Sequence, residues 1–142
     1  SYFQKLFSCM VRVEHIGIAV NSIEEKKSIY EKLLNTACYK TELVESEGVQ
    51  TAFFQIGENK IELLEATRPD SAIAKYLEKK GEGIHHIAFE VEDIAAEMVR
   101  LEAEGFQLLH TEPKRGADNK LICFLHPKSS GGILVELCQE IR

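Results

Sequence analysis

The 142-residue chain has no basic run: 17 lysines and arginines are outweighed by 23 aspartates and glutamates, for a formal net charge of -6. That balance argues against nucleic acid or an anionic membrane as the main partner. Nor does any apolar stretch approach the roughly 20 residues of a membrane span. Cysteine is sparse and never in CxxC spacing. Cys9, Cys38, Cys123 and Cys138 sit in apolar or terminal contexts, which argues against a zinc knuckle or a disulfide frame and for reduced packing thiols of an intracellular protein. What remains, 44% hydrophobic and 28% charged residues, is the balance of an ordinary soluble globule with material for one core.

The most informative feature is a stretch written twice. VEHIGIAVNS, from Val13, returns as IHHIAFEVED, from Ile84, at a shift of about 71 residues, room for a whole supersecondary unit. His15 falls on His86. Alternate side chains of a strand face opposite ways, so Ile16, Ile18 and Val20 match Ile87, Phe89 and Val91 as the core face. His15, Gly17 and Ala19 match His86 and Ala88 on the other. His85 shares the apolar parity and is the weaker ligand candidate. SYFQKLFSC, ahead of Met10, has no counterpart before the second copy and holds a YFQ run reminiscent of a protease scar. Residues 1–10 are therefore expected to be a leader or processed end, or part of a targeting peptide if native.

Each copy closes on a helix start signal. Ser22 and Glu25 have capping-box spacing, with Ile23, Tyr30, Leu33 and Leu34 as the expected buried stripe and Asn35 as a left-handed stop. Asp93 caps the second helix, with Ile94, Met98 and Leu101 inward and Gly105 as its end. Three β-rich runs then follow in each half, near residues 37–45, 49–56 and 60–66, and near 107–112, 120–125 and 132–139. Pro69, Asp70 and Ser71 announce a linking helix near 71–80, with Ile73, Tyr76 and Leu77 inward and Gly81 at its end. The expected class is α+β, two βαβββ modules over about 11–67 and 82–140 within one domain, 11–142.

The repeat exposes a second matched pair. In KIELLEA and GILVELCQ, Glu62 and Glu136 point away from the core residues beside them. A carboxylate in mid-strand is costly to bury unpaired. Two of them, with two matched histidines, are best explained by a metal site of His15, Glu62, His86 and Glu136. The mixed nitrogen and oxygen set is neither a structural zinc site nor a calcium cage. It suits a six-coordinate divalent cation, Co²⁺, Mn²⁺, Ni²⁺ or Zn²⁺, with two open positions for a chelating ligand.

HIGIAV, ELLEA, HHIAFEV, FLHPK and GGILVEL together resemble the vicinal oxygen chelate superfamily and, within it, the methylmalonyl-CoA epimerases, over essentially all of the chain from Val11. The resemblance implies an open cup-shaped mixed sheet around a divalent metal held by the same four residues. It implies an acyl-CoA thioester substrate whose α-proton is removed and returned through an enolate. Glu136 is the first candidate acid/base and Glu62 the second. Some epimerases place a further glutamate in the third strand of the first half, where this chain reads VQTAFFQI and offers Gln50, Thr51 and Gln55; Glu47 or a relayed water could stand in. Lys128 and Ser129 could touch an anionic group of the coenzyme, and His126 could rigidify its loop before Pro127. The resemblance also implies a homodimer in the cytoplasm, or in the mitochondrial matrix of a eukaryote. Rival readings on the same scaffold are a glyoxalase I-type lactoylglutathione lyase, an extradiol dioxygenase with two histidines and one glutamate around Fe²⁺, and a metal-free small-molecule-binding module.

Overall fold

The computed structural model describes residues 10–142. The expected leader, with Cys9, lies outside the described residues save Met10, which packs against the core formed by Val91, Met98, Cys123 and their neighbours. The chain is α+β, with three helices and eight strands of mixed direction among the described residues. It forms two compact units, residues 15–86, and residues 87–142 together with the chain up to Glu14.

The unit of residues 15–86 takes most of β1 (Arg12–Ala19), then α1 (Ile23–Leu34), β2 (Lys40–Val44), β3 (Val49–Ile56), β4 (Asn59–Ala66), α2 (Ala72–Lys80) and the first part of β5 (Gly83–Glu90). Its strands run in the order β2-β3-β4-β1, with β1 parallel to β4 and the other neighbours antiparallel. Helix α1 starts where Ser22 accepts a hydrogen bond from the Glu25 amide, and it ends at Asn35 in the left-handed region, φ 52°. Ile23, Tyr30 and Leu34 pack on Val20, Ala52, Phe54 and Leu63. Leu33, expected in that stripe, is 70% exposed, because ten residues beyond Ile23 it stands about a quarter turn off the buried face.

Helix α2 covers part of the opposite sheet face. Ser71 caps it through the Ala74 amide, and Ile73, Tyr76 and Leu77 pack against Ala19, Val49 and Leu64. Helices on both faces bury the C-terminal end of β1 on both sides, so Ala19 is as inaccessible as Val20. Register decides what the rest of the α2 face carries. Gly17 pairs with Glu62 and Ala19 with Leu64, while Phe53 pairs with Glu62 and Thr51 with Leu64. His15, Gly17, Glu62, Phe53 and Thr51 therefore look the same way.

In the second unit α3 (Ile94–Ala103) is capped by Asp93 through the Ala96 amide and packs Ile94, Met98 and Leu101 against Leu125 and Leu137. Its strands run β5-β8-β7-β6, with β7 (Lys120–Leu125) and β8 (Val135–Glu140) paired antiparallel and β8 parallel to β5. The strand expected near 107–112 does not form. The Gln107 amide donates to the Ser129 hydroxyl, only Leu108 bridges to Leu125, and Pro113, which has no amide proton to give, follows. The edge is made instead by β6 (Lys114–Arg115), paired with β7.

One repeated device was not visible in the sequence. The first amide of α1, Ile23, donates to Glu65 at 2.6 Å, and the first amide of α3, Ile94, donates to Gln139 at 2.7 Å. Each acceptor lies three residues after the site glutamate of its own module. Each strand thus satisfies one of the orphan donors of its module's helix and fixes the two elements together.

Candidate metal centre

His15 and His86 both belong to the unit of residues 15–86, and their rings meet edge to face with Nε2 atoms 3.0 Å apart. On the far side of the His15 ring, Nδ1 is 3.1 Å from Glu62 Oε2. On the far side of the His86 ring, Nδ1 is 2.9 Å from Nδ1 of His85. A carboxylate and three imidazoles are thus joined in a row by three contacts. All but His85 are buried.

Burial and the neighbouring imidazoles of His15 and His85 hold the His86 pKa well below the ordinary histidine value, so its ring is neutral and carries one proton. Glu62, acting as acceptor, favours the proton of His15 on Nδ1 and leaves the Nε2 lone pair facing His86. Where His86 gives its own proton to His85, two lone pairs converge. Two nitrogens bound at right angles to one ion at about 2.1 Å stand about 3.0 Å apart, which is the separation observed. The donor set fits a divalent cation, and Glu62 has the place of the carboxylate that orients a ligating histidine from behind.

Gly17 makes the approach possible. A Cβ built there would lie 2.3 Å from Cε1 of His86, so the imidazole rests directly on bare backbone. His85, of the apolar parity, is braced by the Tyr76 ring, edge-on at 5.0 Å, while the Tyr76 hydroxyl donates to the Ile84 carbonyl. The sequence pointed to His85 only as the lesser ligand candidate. Its contact with Nδ1 of His86 gives it a separate task, holding the tautomer of its neighbour, that strand parity alone does not disclose.

Burial pushes the His85 pKa down to about 4 from 6.5, which has a consequence for the metal-stripped protein. The folded form resists a proton that the unfolded chain accepts. This contribution to stability is therefore complete above pH 6.5 and is lost as pH falls toward 4, by about 3 kcal/mol for His85 alone. Urea midpoints of EDTA-treated protein at about pH 7 and about pH 4 test it, and an unchanged midpoint would contradict a buried neutral ring.

The remaining expected site residues divide. Glu136 is buried in β8 of the other unit, in register with Ala88, as Glu62 is with Gly17. In each module the carboxylate stands across from the small residue two places beyond the histidine. Glu14, which sequence reading passed over, is a further carboxylate with only 1% exposure, immediately before His15. Its signal was a charge at a position of apolar parity in β1. Glu47 is not brought to the histidines. It lies in a short 3-10 turn (Glu45–Glu47) beyond Val49, which pairs with Ala66, roughly 13 Å along the strand from Glu62. His126 caps a second 3-10 turn (Pro127–Ser130) through the Lys128 amide. The Ser129 hydroxyl donates to the His126 carbonyl and accepts from the Gln107 amide, so it serves the loop; the Lys128 side chain is exposed.

Residues 14–124 match the family model of the Glyoxalase/Bleomycin resistance protein/Dioxygenase superfamily. An ethylmalonyl-CoA/methylmalonyl-CoA epimerase of Cereibacter sphaeroides is 42% identical over 130 residues, 90% of this chain and 97% of that protein. The mitochondrial methylmalonyl-CoA epimerase of Homo sapiens is 39% identical over 129 residues, 90% of this chain and 73% of that protein. Among solved structures, a Streptomyces coelicolor methylmalonyl-CoA epimerase variant in complex with 2-nitronate-propionyl-CoA superposes with a TM-score of 0.90 at 37% identity, covering 94% of this chain and 100% of that one. With its matched histidines and carboxylates on two copies of one βαβββ unit, the chain belongs to the Glyoxalase/Bleomycin resistance protein/Dioxygenase superfamily.

Proposed function

We propose that this protein is a methylmalonyl-CoA epimerase that interconverts the two configurations at the α-carbon of its acyl-CoA substrate. The observation that carries the reading is the pair of buried imidazoles whose Nε2 atoms converge at 3.0 Å in a chain whose relatives are named as epimerases of this substrate. His15, His86 and Glu136 are the proposed donors, and Co²⁺, Mn²⁺, Ni²⁺ and Zn²⁺ all tolerate them; Glu62, expected as a fourth, holds Nδ1 of His15 instead. When bound, such a cation lowers the cost of negative charge on the thioester oxygen by several kcal/mol, which brings an α-proton within reach of a carboxylate.

The chain's own groups do the rest. Glu62 holds the His15 ring by Nδ1 and His85 holds the His86 ring by Nδ1, so both face inward by Nε2. Glu136 takes the α-proton from one face of the substrate as a general base, and a proton from water is relayed through Glu62 to the other face, which restores the carboxylate that holds His15. The carbon inverts, and no atom is gained or lost. Glu47 has no part in this scheme. Lys128, exposed at the head of its turn, is the candidate partner for a phosphate of the coenzyme, and the protein is assigned as a homodimer. No helix among the described residues is long and apolar enough to cross a membrane. The location proposed is the cytoplasm, or the mitochondrial matrix if the source is eukaryotic.

Incubation with a single configuration of methylmalonyl-CoA in D₂O should scramble the centre and place deuterium at the α-carbon. EDTA treatment should cut the rate roughly a thousandfold, the value of a several kcal/mol effect, and the divalent cation should restore it. Absence of exchange in the reconstituted protein, together with turnover of the methylglyoxal and glutathione adduct, would reassign it as a glyoxalase.

A further inference from the structure

We propose that Thr51 is a substrate-binding group whose hydroxyl donates a hydrogen bond to the free carboxylate of the bound acyl-CoA. This rests on the epimerase reading above and extends it to a residue of β3.

Thr51 is 1% exposed, and its Oγ1 has no hydrogen-bond partner among the described residues. Its lateral neighbours in the sheet are Leu64 on β4 and Glu42 on β2. The hydroxyl bonds to neither. A buried hydroxyl without a partner is a net cost. Valine, with the same branched shape and the strand preference that goes with it, would avoid that cost among the apolar residues nearby.

Position explains why the hydroxyl is there. Glu62 lies two residues before Leu64 on the same face of β4, so it is the diagonal neighbour of Thr51, at about 7 Å between Cβ atoms. Helix α2 covers this face as far as Val49 and Leu64, and Thr51 stands where the apolar cover gives way to Glu62 and His15. A ligand lying against Glu62 and the two histidines has its near edge at this hydroxyl.

The chemistry of the ligand completes the pairing. A malonyl head group carries an acceptor-only carboxylate, and a hydrogen bond to a charged acceptor is stronger than one between neutral groups. The hydroxyl supplies the donor without adding charge. Glu62 already brings negative charge to this face, so a neutral donor binds an anionic head group where another carboxylate would repel it. The His15 and His86 nitrogens point at each other, at Glu62 and at His85, so they do not make this contact.

The test compares wild type with Thr51→Val and Thr51→Ser in the metal-reconstituted protein, with malonyl-CoA and propionyl-CoA as calorimetric probes. Thr51→Val should weaken malonyl-CoA about tenfold or more, leave propionyl-CoA unchanged and raise the KM for methylmalonyl-CoA, while its melting temperature stays level or rises. Thr51→Ser should keep wild-type affinity. Equal binding of malonyl-CoA by wild type and Thr51→Val would overturn the assignment, as would equal loss of both probes or a lower melting temperature, either of which would make the hydroxyl structural. A wild type that neither binds these thioesters nor epimerises overturns the epimerase reading itself. An active wild type matched by Thr51→Val overturns only this one.

Discussion

Replacing His86 with alanine should cost the protein its stoichiometric metal and slow α-proton exchange at least a thousandfold. Only one of the two converging Nε2 atoms would remain, and with the ion would go the several kcal/mol of transition-state stabilisation it supplies. The change also removes the ring that separates His15 from His85, so both lose a hydrogen-bond partner. Stability should nevertheless suffer little, because the deleted group is a neutral imidazole whose burial is unfavourable for its charged form and whose neighbours can be reached by water in the opened space. Elemental analysis after reconstitution and dialysis, alongside the D₂O assay, checks both parts. A variant that keeps one ion per chain and exchanges within tenfold of wild type would show that His86 is not a ligand.

Gly17→Ala should be nearly as damaging although it adds one methyl group and touches no charge. The new Cβ would stand 2.3 Å from Cε1, 2.7 Å from Nδ1 and 2.8 Å from Nε2 of His86, so the whole ring must move. It cannot do so and keep both Nδ1 on His85 and Nε2 opposite His15. A displacement of about 1 Å at a reacting centre costs roughly a hundredfold in rate, and loss of an orienting contact lowers metal affinity by roughly 10–100-fold. Overpacking should also remove about 1–3 kcal/mol of stability. Gly83→Ala is the control, since a Cβ there would meet nothing closer than the Tyr76 hydroxyl at 3.7 Å. Metal titrations and exchange rates of the two variants should separate cleanly; equal behaviour would mean that the ring has somewhere else to go.

Much of the frame was legible because the chain repeats itself and local signals agree with the repeat. Ser22, Ser71 and Asp93 cap the three helices as their spacing indicates, and Asn35 stops the first in the left-handed region. Strand parity put His15, Gly17 and Glu62 on one face, which the β1 and β4 register bears out. Where tertiary context decides, the sequence was a poorer guide. Leu33 is apolar yet outward. The run at 107–112 has strand composition, but the Gln107 amide is drawn to the Ser129 hydroxyl and the Leu109 amide alone reaches a carbonyl of β7, that of Phe124. The second-sphere links, Glu62 to Nδ1 of His15 and His85 to Nδ1 of His86, depend on ring orientation. No periodicity encodes that. Glu47 looked close to the site by sequence number, but it sits past the strand end, because an antiparallel hairpin carries its turn away from the middle of the sheet.

Gly17 and Ala88 occupy matching places in the two copies, each opposite a glutamate of the neighbouring strand. Yet a ring lies flat against the first, so only that place demands an absent side chain. Gene duplication has therefore left a scaffold that repeats without being a mirror of itself. Each copy offers a bound molecule a different surface, and nothing in the repeat requires the two epimers at a stereocentre to be handled at equal speed.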